Sequence, residues 1–230
     1  MAKPKASLNS SLRKSLFGVY RARGKGLNNI WLVSSIKTKQ DWILPSDRQL
    51  IHWLHFLESN PDVVDFNLAP EPILSHDENE PRNTELDAIV TYKDKHTEWH
   101  EVKAGKAKQK IDHKSQFQAQ SQAAFKSHAN YQIFDDDDLK PNVKVAMRWL
   151  KPLAYANALQ GQDHKHCESQ LALCLHSLNS GNIQQVLDKM KSHDQSIVIG
   201  LIAKFSFEGL IKLDLEKSTF GYLTLWNYHG

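Results

Sequence analysis

At 230 residues the chain can bury a substantial core, as one large domain or two small ones. Its 40% hydrophobic and 24% charged composition is that of a folded globular protein and excludes disorder as the rule beyond the N-terminus. A net charge of +3 says little about nucleic acid by itself, and the lack of any span-length apolar run or secretory apolar stretch predicts a soluble cytoplasmic protein.

Charge is segregated along the chain. Residues 1–40 carry Lys3, Lys5, Arg13, Lys14, Arg21, Arg23, Lys25, Lys37 and Lys39 and no acidic residue. Ser, Lys, Arg and Gly dominate 1–28, so 1–41 reads as a basic N-terminal arm, with Arg21, Arg23 and Lys25 as candidate DNA contacts. A merely solvated basic tail has the same composition. The first strong helix spans 46–59. Ser46 is its N-cap, Gln49 stands at capping-box spacing, and Leu50, Trp53, Leu54 and Leu57 make an apolar stripe.

A strand follows at 63–68, then an extended segment at 69–74 and a polar turn at 76–83. Two β-like runs, 85–92 and 97–103, are joined by four residues as a hairpin. Residues 106–128 predict a helix, 131–134 a strand, 138–141 a turn and 142–157 a helix. A polar linker at 160–166 separates this part, 42–160, from a second module at 167–230. That module reads as helices at 167–178, 182–191 and 195–205 and strands at 210–215 and 222–227, the order of a winged-helix domain. Cys167 and Cys174 lie seven apart on one predicted helix, which suits two free thiols.

The chemistry-bearing residues sit on the hairpin. Alternation along the second strand puts Glu101 and Lys103 on one face with Val102 between them, and Asp87 on the first strand can meet them. Two carboxylates and an ammonium at one spot suit phosphodiester hydrolysis. A hard cation such as Mg²⁺ takes carboxylate oxygens, here Asp87 and Glu101 with the Val102 carbonyl, and Lys103 can orient water or steady developing charge. The spacing alone also fits a surface hairpin with a cross-strand ion pair. Lys106, Lys108 and Lys110 follow Lys103 closely and are candidate phosphate contacts. Gln116 and Gln120 share a helix face that could also meet the DNA backbone.

The order helix, strand, Asp strand, Glu-x-Lys strand, basic helix, strand is that of the PD-(D/E)xK restriction-endonuclease-like core, a mixed sheet flanked by helices. Together with SDRQL…FLESNPDVVDF (46–66), PEPI (70–73), ELDAIV (85–90), HEVK (100–103) and YQIFDDDDL (131–139), it resembles TnsA, the endonuclease subunit of heteromeric transposons. The resemblance covers most of 42–230. It implies a Mg²⁺-dependent DNA endonuclease (Mn²⁺ able to substitute) that cuts at mobile-element ends with a DDE transposase and an ATPase partner. It also places Gln49 where the family usually carries a catalytic Glu, which leaves the number of metal ions open. A stand-alone nuclease of a phage or other mobile element shares these site residues, and a non-catalytic DNA-binding subunit is the reading that Gln49 keeps open.

Overall fold

The computed structural model describes residues 29–77, 80–110 and 114–229 together with Gly18 and Arg21; the side chains of 74–83 lie outside that description. Arg23 and Lys25, the core of the basic arm, fall outside it as well. Residues 29–41, assigned to the arm from sequence, are folded. They lead into an antiparallel hairpin of β1 (Trp31–Ser34) and β2 (Asp41–Leu44), with Val33 and Leu44 in the core. The uniform basic charge of 1–40 hid the alternation of this short strand.

Helix α1 (Asp47–His52) starts where the N-cap signal put it: the Ser46 hydroxyl accepts the Gln49 N–H at 3.2 Å. The second half of the capping box is absent, because the Gln49 side chain turns to Asp87. The helix continues as a π-helical segment, Trp53–Glu58, rather than the regular helix expected to 59. Its apolar stripe is buried as predicted, with Leu50, Trp53, Leu54 and Leu57 all at or below 1% exposure.

Next come β3 (Val63–Asn67), β4 (Ile73–Asp77), β5 (Glu80–Thr84), β6 (Ala88–Tyr92) and β7 (Thr97–Val102). The predicted polar turn at 76–83 is instead mostly strand, since β4 and β5 pair as an antiparallel hairpin. The expected helix at 106–128 is shorter: a 3-10 turn at Ala107–Gln109 comes first, and α2 spans Lys114–Lys126. β8 (Asn130–Phe134) completes a four-stranded mixed sheet of order β3-β6-β7-β8, antiparallel except for the β7–β8 pair. The parallel pair needs a crossover, and α2 supplies it.

The expected turn at 138–141 is helical. Asp135 caps α3 (Asp136–Leu139) in a reciprocal box with Asp138, and a 3-10 turn, Lys140–Asn142, follows. The predicted helix 142–157 divides at Trp149 into α4 (Val143–Arg148) and α5 (Leu150–Ala158). Beyond it lie α6 (Lys165–Leu178), β9 (Ser180–Asn182), α7 (Ile183–Lys189), α8 (Gln195–Phe207), β10 (Ile211–Leu213) and β11 (Leu225–Tyr228). Strand β9 was not foreseen, being three residues with no apolar alternation. It pairs with β11, giving an antiparallel sheet of order β10-β11-β9. Cys167 and Cys174 are free.

The loop at 160–166 does not separate two cores. One buried apolar cluster runs from Val33 to Trp226. Trp149 meets Phe207 with ring centres 5.2 Å apart, and Tyr155 meets Phe220 at 5.9 Å. A Cβ at Gly200 would lie 2.7 Å from Leu159 Cδ1 and 3.0 Å from the Tyr155 carbonyl, so glycine there lets α8 approach α5. Among the described residues no helix is long and apolar enough to cross a membrane.

Candidate active site

The sheet gathers the site at one end. Asp87 stands just before β6, where its N–H still bonds the His100 carbonyl at 3.1 Å and so extends the β6–β7 ladder by one residue. Its carboxylate has two donors: Gln49 Nε2 reaches Oδ1 at 2.6 Å, and the Val102 N–H reaches Oδ2 at 2.6 Å. A carboxylate can only accept, so the Gln49 amide must present its NH₂ to Asp87. That leaves Gln49 Oε1 buried with no hydrogen-bond partner among the described residues. Val102 gives Asp87 its N–H, and its carbonyl points toward the same side, because one residue's N–H and C=O face the same neighbouring strand.

Glu101, 2% exposed, is held more tightly. Lys103 Nζ lies 2.5 Å from Oε1, Gln116 Nε2 is 3.3 Å from Oε1, and Gln120 Nε2 is 3.1 Å from Oε2. Gln116 and Gln120, expected to face a DNA backbone, instead point inward. Gln120 is fully buried and bridges Glu101 to Thr84 Oγ1 (2.8 Å), the Glu85 carbonyl (3.2 Å) and Tyr131, whose hydroxyl donates to its Oε1 at 2.5 Å. The i, i+4 spacing was visible in sequence; the inward direction followed only from where α2 packs.

Burial raises the pKa of both carboxylates. Asp87 is pushed up by desolvation, opposed by its Val102 and Gln49 hydrogen bonds and by Lys103. Glu101 is pushed up by desolvation and then by the charge of Asp87, opposed by Lys103 and Gln120. Two carboxylates that disfavour each other's ionisation are a place where a cation is electrostatically welcome.

Behind the site lies a contact that the sequence reading missed. His52 approaches His100 of β7: Nε2 and Nδ1 are 3.0 Å apart, and both rings are buried. His100 Nε2 is 3.0 Å from Glu98 Oε2, which also accepts the Tyr92 hydroxyl at 2.8 Å. Glu98 fixes the tautomers, since its oxygen needs the His100 Nε2 proton and His100 Nδ1 must then accept from His52. Burial, and then the charge that a protonated His100 would bring, pushes the pKa of His52 well below its ordinary value, so the ring is held neutral. This bridge fastens α1, and with it Gln49, to β7.

The candidate DNA contacts are less uniform. Arg21 is exposed. Lys106 pairs with Asp137 at 3.5 Å and Lys108 with Asp138 at 2.6 Å, so the acidic run 135–138 both caps α3 and compensates these lysines. Lys110 is exposed. A cleft of about 400 Å³, lined in part by Pro45, Gln49, Leu68, Pro70 and Glu85, opens beside Asp87.

The donor set fits a hard cation better than zinc. Among the described residues no three His, Cys, Asp or Glu side chains converge as a metal-binding group. Two carboxylates, an available backbone carbonyl and room for water suit Mg²⁺. The unpartnered Gln49 Oε1 is a further oxygen that such a shell can satisfy. Compared with protein-family models and with curated proteins, the chain gave no match.

Proposed function

We propose that this chain is a divalent-metal-dependent DNA endonuclease, with Asp87, Glu101, Lys103 and Gln49 as its active site. The observation that carries the reading is the convergence of these four side chains, from α1, the start of β6 and β7, at one end of a mixed sheet. The order α1, β3, β6, β7, α2, β8 and the sheet β3-β6-β7-β8 support a PD-(D/E)xK core carrying β4–β5 as an inserted hairpin.

Asp87, Glu101 and the Val102 carbonyl would hold Mg²⁺, with Mn²⁺ as a substitute. A cation bound there supplies charge against phosphate oxygens and makes its water more acidic. Lys103, a quarter exposed, can leave Glu101 for a phosphate oxygen and steady the charge building there. Gln49 holds Asp87 at a fixed angle and keeps a carbonyl oxygen available to accept a hydrogen bond from water. Gln116 and Gln120 fix the Glu101 carboxylate.

The resemblance to TnsA extends the proposal to cleavage at mobile-element ends, alongside a DDE transposase and an ATPase. Three helices with a three-stranded sheet support a winged-helix reading of the C-terminal module. Its third helix, α8, which would enter a DNA groove in a helix-reading module, is mostly buried and apolar. That favours partner contact over base reading by this module. The test is cleavage of plasmid and of transposon-end DNA in Mg²⁺, with and without chelator and the candidate transposase. Metal-dependent cleavage supports the reading, and binding without cleavage under every condition supports an assembly subunit.

A further inference from the structure

The cleft beside Asp87 is unlike a phosphate groove. The described residues lining it include no Lys or Arg, and their charged members, Glu85 and Asp87, are both acidic. Gln49 and His52 add polar groups to the lining, and Pro45, Leu68, Ala69 and Pro70 are among its apolar members. The cations of the region, Lys103, Lys106 and Lys108, lie elsewhere, paired with Glu101, Asp137 and Asp138. A sugar-phosphate backbone needs cations around it, and away from the metal position at Asp87 the described walls offer none. An uncharged, flat, partly apolar group fits instead, and Glu85, exposed at the wall, can accept a hydrogen bond from an amino group.

We infer that this cleft receives one unpaired nucleobase of the strand being cut. The inference rests on the nuclease reading of the same site. With the scissile phosphate at Asp87 and Glu101, the base on the adjoining sugar must lie within one nucleotide of Asp87, and this cleft, walled in part by prolines and Leu68, opens there. A base inside a duplex is stacked and cannot enter; it must be extruded or already single-stranded. The preferred substrate is therefore DNA with an unpaired nucleotide next to the cut: a single strand, a flap or a locally melted end. Cytosine, adenine and guanine, which carry amino groups, suit Glu85 better than thymine does.

The test uses the full chain and 2-aminopurine-labelled oligonucleotides, single-stranded and duplex, of one sequence. Binding is measured in chelator, so that no turnover is needed. The single strand is expected to bind at least about tenfold more tightly than the duplex, with a change in 2-aminopurine fluorescence at one position. Ala69→Trp, on an exposed loop, fills the cleft and should remove that preference and the fluorescence change. Equal affinity for both DNAs, no binding to either, or an Ala69→Trp variant that still prefers the single strand would overturn the inference. Cleavage of the same DNAs in Mg²⁺ by wild type and Lys103→Ala separates the two readings. Strand-selective binding without cleavage removes the nuclease and keeps the base site, and cleavage of fully paired DNA unchanged by Ala69→Trp does the reverse.

Discussion

Gln49 is the residue on which the chemistry turns. Its NH₂ fastens Asp87, and its carbonyl oxygen has no partner among the described residues. Gln49→Glu would add a third carboxylate against Asp87. Without metal, like-charge repulsion should lower stability at neutral pH by on the order of 1 kcal/mol, a fall of roughly 2–4 °C in Tm. With Mg²⁺ the added charge should raise metal affinity, by about tenfold or more in a titration; unchanged affinity would separate Gln49 from the metal. The pH dependence follows from the raised pKa values of Asp87 and Glu101. An acid whose folded value lies above its unfolded one contributes stability at low pH and loses it as pH rises through the folded value. Wherever both groups are ionised, that ionisation comes at a cost to the free protein, and Mg²⁺ should raise Tm by offsetting it. As pH falls into the raised carboxylate range, protons compete for the ligands, and the Mg²⁺-induced shift in Tm should shrink. A shift independent of pH between 7 and 4 would contradict this ligand set. The Asp, Glu-x-Lys trio was legible because strand alternation fixes which side chains share a face. The inward turn of Gln116 and Gln120 and the His52–His100 contact were not, since each joins residues 15–48 positions apart through packing that no local pattern records.

Element by element, long apolar periodicity was readable and short elements were not. The stripe on α1 and the alternation in β6 and β7 announced themselves, whereas β1, β9 and the β4–β5 hairpin are three to five residues long and polar or basic in part. The β1–β2 hairpin shows what holds such a piece. Beyond β1, the Ser35 hydroxyl donates to Glu58 Oε2 at 2.7 Å and the Ile36 N–H to Oε1 at 2.6 Å, at the end of the π-helical segment. Glu58, fully buried, has its pKa raised by that burial. It serves as a latch between elements, far from a ligand role. Ser35→Ala leaves the buried carboxylate short of a donor and should cost about 1–3 kcal/mol in urea unfolding. A cost below about 0.5 kcal/mol would mean that the hairpin is held by its apolar contacts alone.

At the scale of the molecule, the polar loop at 160–166 looks in sequence like a boundary between modules, yet the apolar core crosses it. The shift from polar to apolar residues marks a change of local structure and carries no information about which faces pack together. Because α5 and α8 share this core through Gly200, the folded part should unfold in one transition seen alike by far-UV dichroism and Trp fluorescence. Two separated transitions would contradict a shared core. Gly200→Leu, which drives a side chain into Leu159 and the Tyr155 carbonyl, should destabilise by about 1–3 kcal/mol or more. Its effect should fall on the whole transition rather than on one half.

The central claim is that Asp87, Glu101 and Lys103 form one metal-dependent cleavage site. Its most direct test is the conversion of supercoiled plasmid to nicked or linear DNA by purified wild type in Mg²⁺ or Mn²⁺, beside Asp87→Ala and Lys103→Ala variants shown to be folded. Cleavage by wild type alone, abolished by chelator, is the predicted result. Cleavage that survives in either variant, or that needs no divalent metal, would contradict the account.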